Sequence, residues 1–137
     1  MGTFEGRGMV IRGLRFLAPE DALAVLSEGA VLVDLRMDEL AEMKAFKVPE
    51  TIRIPHEELA GLLPELPTDR PLLLADSSGV YTKEAAHLLL ARGFTEIACL
   101  NGGMLLWDQE GLPVVTDAAA LLHGECSCVL RPRKGPR

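Results

Sequence analysis

The chain has 137 residues, the length of one domain with a sheet covered by helices, and 48% of them are apolar while only 4% are aromatic. The core must therefore be built from Leu, Val, Ile, Ala and Met. A formal charge of -6 argues against a nucleic-acid partner, and three cysteines do not make a disulfide framework. No stretch approaches the roughly 20 apolar residues of a membrane helix or the apolar run of a signal peptide, so a cytoplasmic protein is expected.

Residues 1–13 read as a glycine-rich arm, with Met9-Val10-Ile11 available as a short edge strand. Leu14-Arg15-Phe16-Leu17 has strand character. Pro19 suits the first turn of a helix whose apolar face is Ala22, Leu23, Val25 and Leu26, and Gly29 ends it. Ala30 to Val33 is a near-continuous apolar run, the mark of a central parallel strand, and it ends at Asp34-Leu35-Arg36. Residues 37–47 are helical in composition, and Val48-Pro49 closes that segment. Thr51 to Ile54 is the next strand, followed after Pro55 by a short helix from His56. Pro64, Pro67 and Pro71 stiffen the connection to a second central strand at 72–75.

That strand runs directly into Asp76-Ser77-Ser78-Gly79-Val80-Tyr81-Thr82 and then into a helix with the densest apolar stripe in the chain, Ala85, Ala86, Leu88, Leu89 and Leu90. A loop joining the carboxyl end of a strand to a helix presents unpaired N–H groups and is the usual ligand position in an α/β protein. Gly93 caps the helix. Thr95 to Leu100 reads as a strand, Asn101-Gly102-Gly103 as a tight turn, and Met104 to Glu110 as a short helix ended by Gly111-Leu112-Pro113. Residues 117–123 suggest a helical turn or two before a basic tail with Arg131, Arg133, Lys134 and Arg137. Strands alternating with modest helices imply crossover units and a mainly parallel sheet with helices on both faces.

The element order and two local signatures make the chain resemble the single-domain rhodanese family, the sulfurtransferase fold. One signature is Asp34-Leu35-Arg36 after an apolar strand, with Val48-Pro49-Glu50-Thr51-Ile52-Arg53-Ile54-Pro55 downstream. The other, more specific, is Leu100-Asn101-Gly102-Gly103-Met104-Leu105-Leu106-Trp107 followed by Gly111-Leu112-Pro113-Val114. The resemblance implies an arm over 1–13, a rhodanese-like α/β domain over 14–115, and a C-terminal extension over 116–137. It also implies a site. Members that transfer sulfur open the loop with a cysteine, in a pattern written Cys-Arg-x-Gly-x-Arg, because a thiolate can take up sulfane sulfur as a persulfide while fixed donors hold the anions.

On this sequence Asp76 stands where the resemblance places that cysteine. Ser77 and Tyr81 stand at the two arginines, Gly79 keeps the glycine, and Thr82 sits where Ser or Thr follows. Lys47 occupies the place of a histidine. A carboxylate cannot carry a persulfide. Asp76 can instead accept N–H bonds from its own loop as an Asx-type cap, bind a partner's cationic or hydroxyl group, or serve as a hydrolytic nucleophile. The last needs a cation, and Lys83, Arg36 and Lys47 are the candidates. Ser77 and Ser78 lack an identifiable base.

The remaining residues divide between support and chemistry. Asp34 and Arg36 suit a charged pair beside the loop, Gly102 and Gly103 a turn packed close to it, and Trp107 the core. Tyr81 exchanges a charge at the rim for a phenol. Cys99 reads as a small buried hydrophobe, His56 as a capping or surface residue, and His87 as borderline surface. His123, Cys126 and Cys128 make a weak His-x-x-Cys-x-Cys metal pattern, and either tail cysteine could be a sulfur-carrying thiol.

The leading expectation is a rhodanese-like binding or regulatory module without persulfide chemistry and without a cofactor. It would meet a protein partner or a small anion, as a monomer or weak dimer. The alternatives are a divergent sulfurtransferase using Cys128 or Cys126 over loop 76–82, and a phosphatase-like hydrolase using Asp76.

Overall fold

A computed structural model describes residues 3–116 and, as backbone, 129–130. The strands are β1 (Met9–Ile11), β2 (Leu14–Leu17), β3 (Val31–Asp34), β4 (Ala45–Phe46), β5 (Thr51–Arg53), β6 (Leu72–Ala75), β7 (Ile97–Leu100), β8 (Val114–Val115) and β9 (Val129–Leu130). The helices are α1 (Pro19–Ser27), α2 (Asp38–Met43), α3 (Thr82–Ala91) and α4 (Gly103–Gln109), with 3-10 turns at His56–Gly61 and Leu63–Glu65.

A seven-stranded sheet in the order β1-β2-β7-β6-β3-β5-β9 forms the centre. The strands are parallel except β1, which pairs antiparallel with β2 through a two-residue turn. Arg12 and Gly13 both have positive φ (52° and 84°) in that turn, as a tight hairpin of the right hand requires. β3 and β6 are the middle strands, and every residue of both is buried, which is why they read as unbroken apolar runs.

Alternation along the strands divides the core in two. Leu32, Leu73, Ala98 and Leu100 face α1 and α4, together with Trp107 and Phe46. Val31, Val33, Leu72, Leu74 and Cys99 face α3 and the 3-10 segment, through Ala85, Ala86, Leu89, Leu59 and Leu63. The α/β layering with helices on both faces is thus the observed one.

The expected helix over 37–47 is shorter. It stops at Met43, and Ala45–Phe46 is extended and pairs antiparallel with Val114–Val115. Packing overrides composition here: Phe46 is 1% exposed and meets Trp107 edge to face, ring centroids 5.2 Å apart. The strand expected from Thr95 begins at Ile97. The helical turn expected at 117–123 lies outside the described residues.

Candidate functional site

The sheet order places a crevice between β3 and β6. The chain leaves β6 toward β7 on one side, whereas β3 connects to β5 on the other, so the loops at these two carboxyl ends separate. Leu35-Arg36 and Asp76–Tyr81 flank the opening.

Asp76 follows β6 and is 2% exposed. Its Oδ1 accepts the Gly79 N–H, and its Oδ2 accepts the Tyr81 N–H at 2.6 Å. Tyr81 immediately precedes α3, so the carboxylate lies at a helix N-terminus, where unpaired donors favour negative charge. Two of the loop's N–H donors are thus filled from within.

Glycine fixes the loop from the opposite side. The first turn of α4 donates Met104 N–H to the Asp76 carbonyl (2.8 Å) and Leu105 N–H to the Ser77 carbonyl (2.9 Å). Gly103 has φ of 60°, and a Cβ there would stand 2.5 Å from the Asp76 carbonyl oxygen and 2.6 Å from Ser77 and Ser78 backbone atoms. Gly102, with φ of 78°, makes the turn into α4. Trp107 is fully buried and donates Nε1–H to the Pro113 carbonyl at 2.9 Å, which ties α4 to the following loop.

None of the three candidate cations forms an ion pair with Asp76 among the described residues, although Arg36 lines the same cleft. Arg36 is 6% exposed, and its guanidinium is committed to Asp34 through Nε (3.0 Å) and an Nη (2.8 Å). It also lies over the Phe46 ring, 5.2 Å from the centroid. Lys47 is exposed and lines no described cavity at the loop; its backbone N–H donates to Pro113. Lys83 and His87 line a separate groove, about 850 Å³, bounded by Met9, Ile11 and Phe16.

The mouth itself is a cleft of about 370 Å³. Leu35, Leu40 and Val80 provide apolar walls, Ser77 and Ser78 provide hydroxyls, and Glu57 provides charge at the edge. His56 and Tyr81 stack across it with centroids 3.7 Å apart and planes 12° from parallel. The sequence does not disclose this stack, because 25 positions separate the two rings. One local signal pointed to it: His56 follows Pro55 at the carboxyl end of β5. There its N–H donates to the Leu35 carbonyl at 2.9 Å and places the ring at the crevice. Around the cleft, Met37, Met43, Val80 and Leu105 are each more than half exposed.

Cys99 is the one free cysteine among the described residues. It is fully buried on β7 with its Sγ–H directed to the Thr82 carbonyl at 3.6 Å. Burial pushes its thiol up to about 11, against a lesser opposing effect of the Thr82 hydrogen bond. His123, Cys126 and Cys128 lie outside the described residues. Among the described residues no group of three or more His, Cys, Asp or Glu is arranged to hold a metal ion. No helix there is long and apolar enough to cross a membrane.

Residues 18–110 match the family model of the rhodanese-like domain. The chain belongs to the rhodanese-like family. Among curated relatives, a thiosulfate sulfurtransferase GlpE of Pseudomonas syringae pv. syringae is 31% identical over 91 residues, 66% of this chain and 84% of that protein. A sulfurtransferase of Allochromatium vinosum is 29% identical over 89 residues, 65% of this chain and 81% of its own. Among solved structures, a rhodanese-related protein from Thermoplasma volcanium superposes with a TM-score of 0.67 at 24% identity. That match covers 75% of this chain and 99% of its own. The 18–110 match includes both crevice loops and the Gly102-Gly103 turn.

Proposed function

We propose that this rhodanese-like domain is a binding module that does not carry sulfur at the end of β6. The observation that carries the reading is the Asp76 carboxylate, buried and accepting two N–H groups of its own loop. By the resemblance to sulfur-transferring members, Asp76 occupies the nucleophile's place. An oxygen acid there cannot form a persulfide, and it occupies two loop N–H groups that could otherwise face an incoming anion.

Two further features support the same conclusion. Arg36 is spent on Asp34, so the cleft offers no free guanidinium to thiosulfate or phosphate. Cys99 is buried and protonated at neutral pH, and a thiol in that state is a poor nucleophile. A hydrolytic role for Asp76 gains nothing from the geometry, because no Lys or Arg is ion-paired with its carboxylate and Arg36, the cation that lines its cleft, is held by Asp34. What the cleft does offer is exposed apolar side chains, two serine hydroxyls and an acidic edge at Glu57. These suit a partner segment with apolar and cationic or hydroxyl side chains, rather than a small anion.

The test is thiosulfate and cyanide turnover by the wild-type chain and by a Cys126→Ser/Cys128→Ser variant. Neither should release thiocyanate. Turnover in both would refute the binding-module reading, and turnover confined to the wild type would transfer sulfur chemistry to a tail thiol.

A further inference from the structure

Charge is distributed unevenly along the chain. Arg131, Arg133, Lys134 and Arg137 fall within seven residues, whereas residues 1–130 hold ten Lys and Arg against twenty Asp and Glu. The cleft mouth belongs to the acidic part. The cation that lines it, Arg36, is already paired with Asp34, and Lys44 in the adjoining hollow with Asp108. Glu57 at its edge and Glu39 on α2 are exposed and form no ion pair among the described residues. Interspersed with this charge are the exposed side chains of Met37, Leu40, Met43 and Val80. Such a surface is complementary to a basic segment with apolar content.

The topology delivers one to the right end of the molecule. β9 joins the sheet beyond β5 and runs parallel to it, with Leu130 opposite Ile52. β9 therefore runs toward the carboxyl end of the sheet, the end at which Asp76 and His56 lie. Three strand spacings separate β9 from β6, about 14 Å. The seven residues that follow Leu130 can span about 23 Å when extended, enough to cross the mouth.

We propose that residues 131–137 of this chain dock across the mouth of the cleft, their cations against Glu57 and Glu39. This rests on the binding-module reading and goes further by naming the resident occupant: the chain's own basic segment, which a partner segment of similar chemistry must displace. The contact is between exposed charges, so it weakens with salt.

Two features make the test specific. Lys134 is the one amine in 131–137, and Tyr81 at the mouth is the one tyrosine in the chain. The full-length protein, as a mixture of unlabelled and nitrogen-15-labelled copies, is treated with a zero-length carbodiimide at low salt and mapped by mass spectrometry. Tyr81 nitration is then compared between wild type and an Arg131→Gln/Arg133→Gln/Lys134→Gln/Arg137→Gln variant. The expected results are a Lys134 cross-link to Glu57 or Glu39 within one copy, lost in high salt, and nitration several-fold faster in the variant. A missing cross-link, a cross-link found only between copies, or an unchanged nitration rate overturns the proposal. A fluorescent peptide of residues 129–137 added to the variant separates self-docking from recognition of basic segments by the mouth. If it binds and Glu57→Gln weakens it, the mouth still takes basic segments even where self-docking fails. If it does not bind, both readings fall.

Discussion

Replacing Asp76 by alanine tests the internal anion quantitatively. The substitution deletes the acceptor of two backbone N–H groups, Gly79 and Tyr81, while leaving the strand and α3 in place. A hydrogen bond to a charged group contributes about 1.5–3 kcal/mol when its loss strands a buried partner. Both donors here lie near the surface, Tyr81 being 42% exposed, so water can replace part of what is lost. With water restoring part of each bond, about 1–2 kcal/mol is lost per bond, giving a total near 2–4 kcal/mol. Against a typical domain stability of about 5–15 kcal/mol, that loss lowers the urea midpoint by about 1–2 M. Asp76→Asn keeps the shape and one acceptor oxygen but sets an amide N–H₂ against the other donor, so it should recover only part of the loss. Urea unfolding followed by the fluorescence of the buried Trp107 measures all three proteins. If Ala and Asn both lie within about 0.5 kcal/mol of wild type, the range of an ordinary surface change, the carboxylate does not organise this loop.

Three other outcomes are expected. Gly103→Ala should destabilise by at least about 2 kcal/mol more than Gly93→Ala. Both residues have positive φ, but a Cβ at 103 strikes loop backbone while one at 93 meets nothing within 4 Å; equal losses by urea unfolding would show that α4 does not clamp the loop. Arg36→Met should cost about 3–5 kcal/mol by leaving Asp34, 1% exposed, as an unpaired buried charge, and Asp34→Asn in the same chain should recover much of it. Cys99 favours its neutral thiol in the fold, so the unfolded chain ionises first, and stability should fall as pH rises from about 9 toward 11, by about 1.4 kcal/mol per unit. A Cys99→Ala chain, lacking that slope, is the control, and parallel pH profiles for the two would remove the assignment.

Much of this site was legible because its frame is local. The apolar run at 72–75, the glycine in the loop and the stripe of α3 are contiguous in sequence, and Asp76 needs only its own next five residues to be capped. The Asp34 and Arg36 pair is two residues apart, and Gly102-Gly103 carries its conformational demand in its composition. What sequence did not disclose depends on distant segments meeting. The His56–Tyr81 stack joins the end of β5 to the end of the loop, and β4 exists because Phe46 reaches Trp107 from 61 positions away. The fates of Lys47 and Lys83 belong to the same class. Their charge was visible, but only the packing of α3 and β4 decides which side of the loop each one faces.

On the proposed reading, the loop after β6 keeps its frame while an oxygen acid stands in place of a nucleophile. Asp76→Cys, in a Cys126→Ser/Cys128→Ser background, addresses it most directly through intact mass after thiosulfate treatment. The thiolate would attack the sulfane sulfur, a sulfur–sulfur bond would form at residue 76, and sulfite would leave. The expected product is a protein heavier by one sulfur atom, reversed by cyanide, with the Asp76 parent unchanged. A parent chain that gains the same mass in that background would contradict it, as would a cysteine at 76 that stays unmodified although the variant folds.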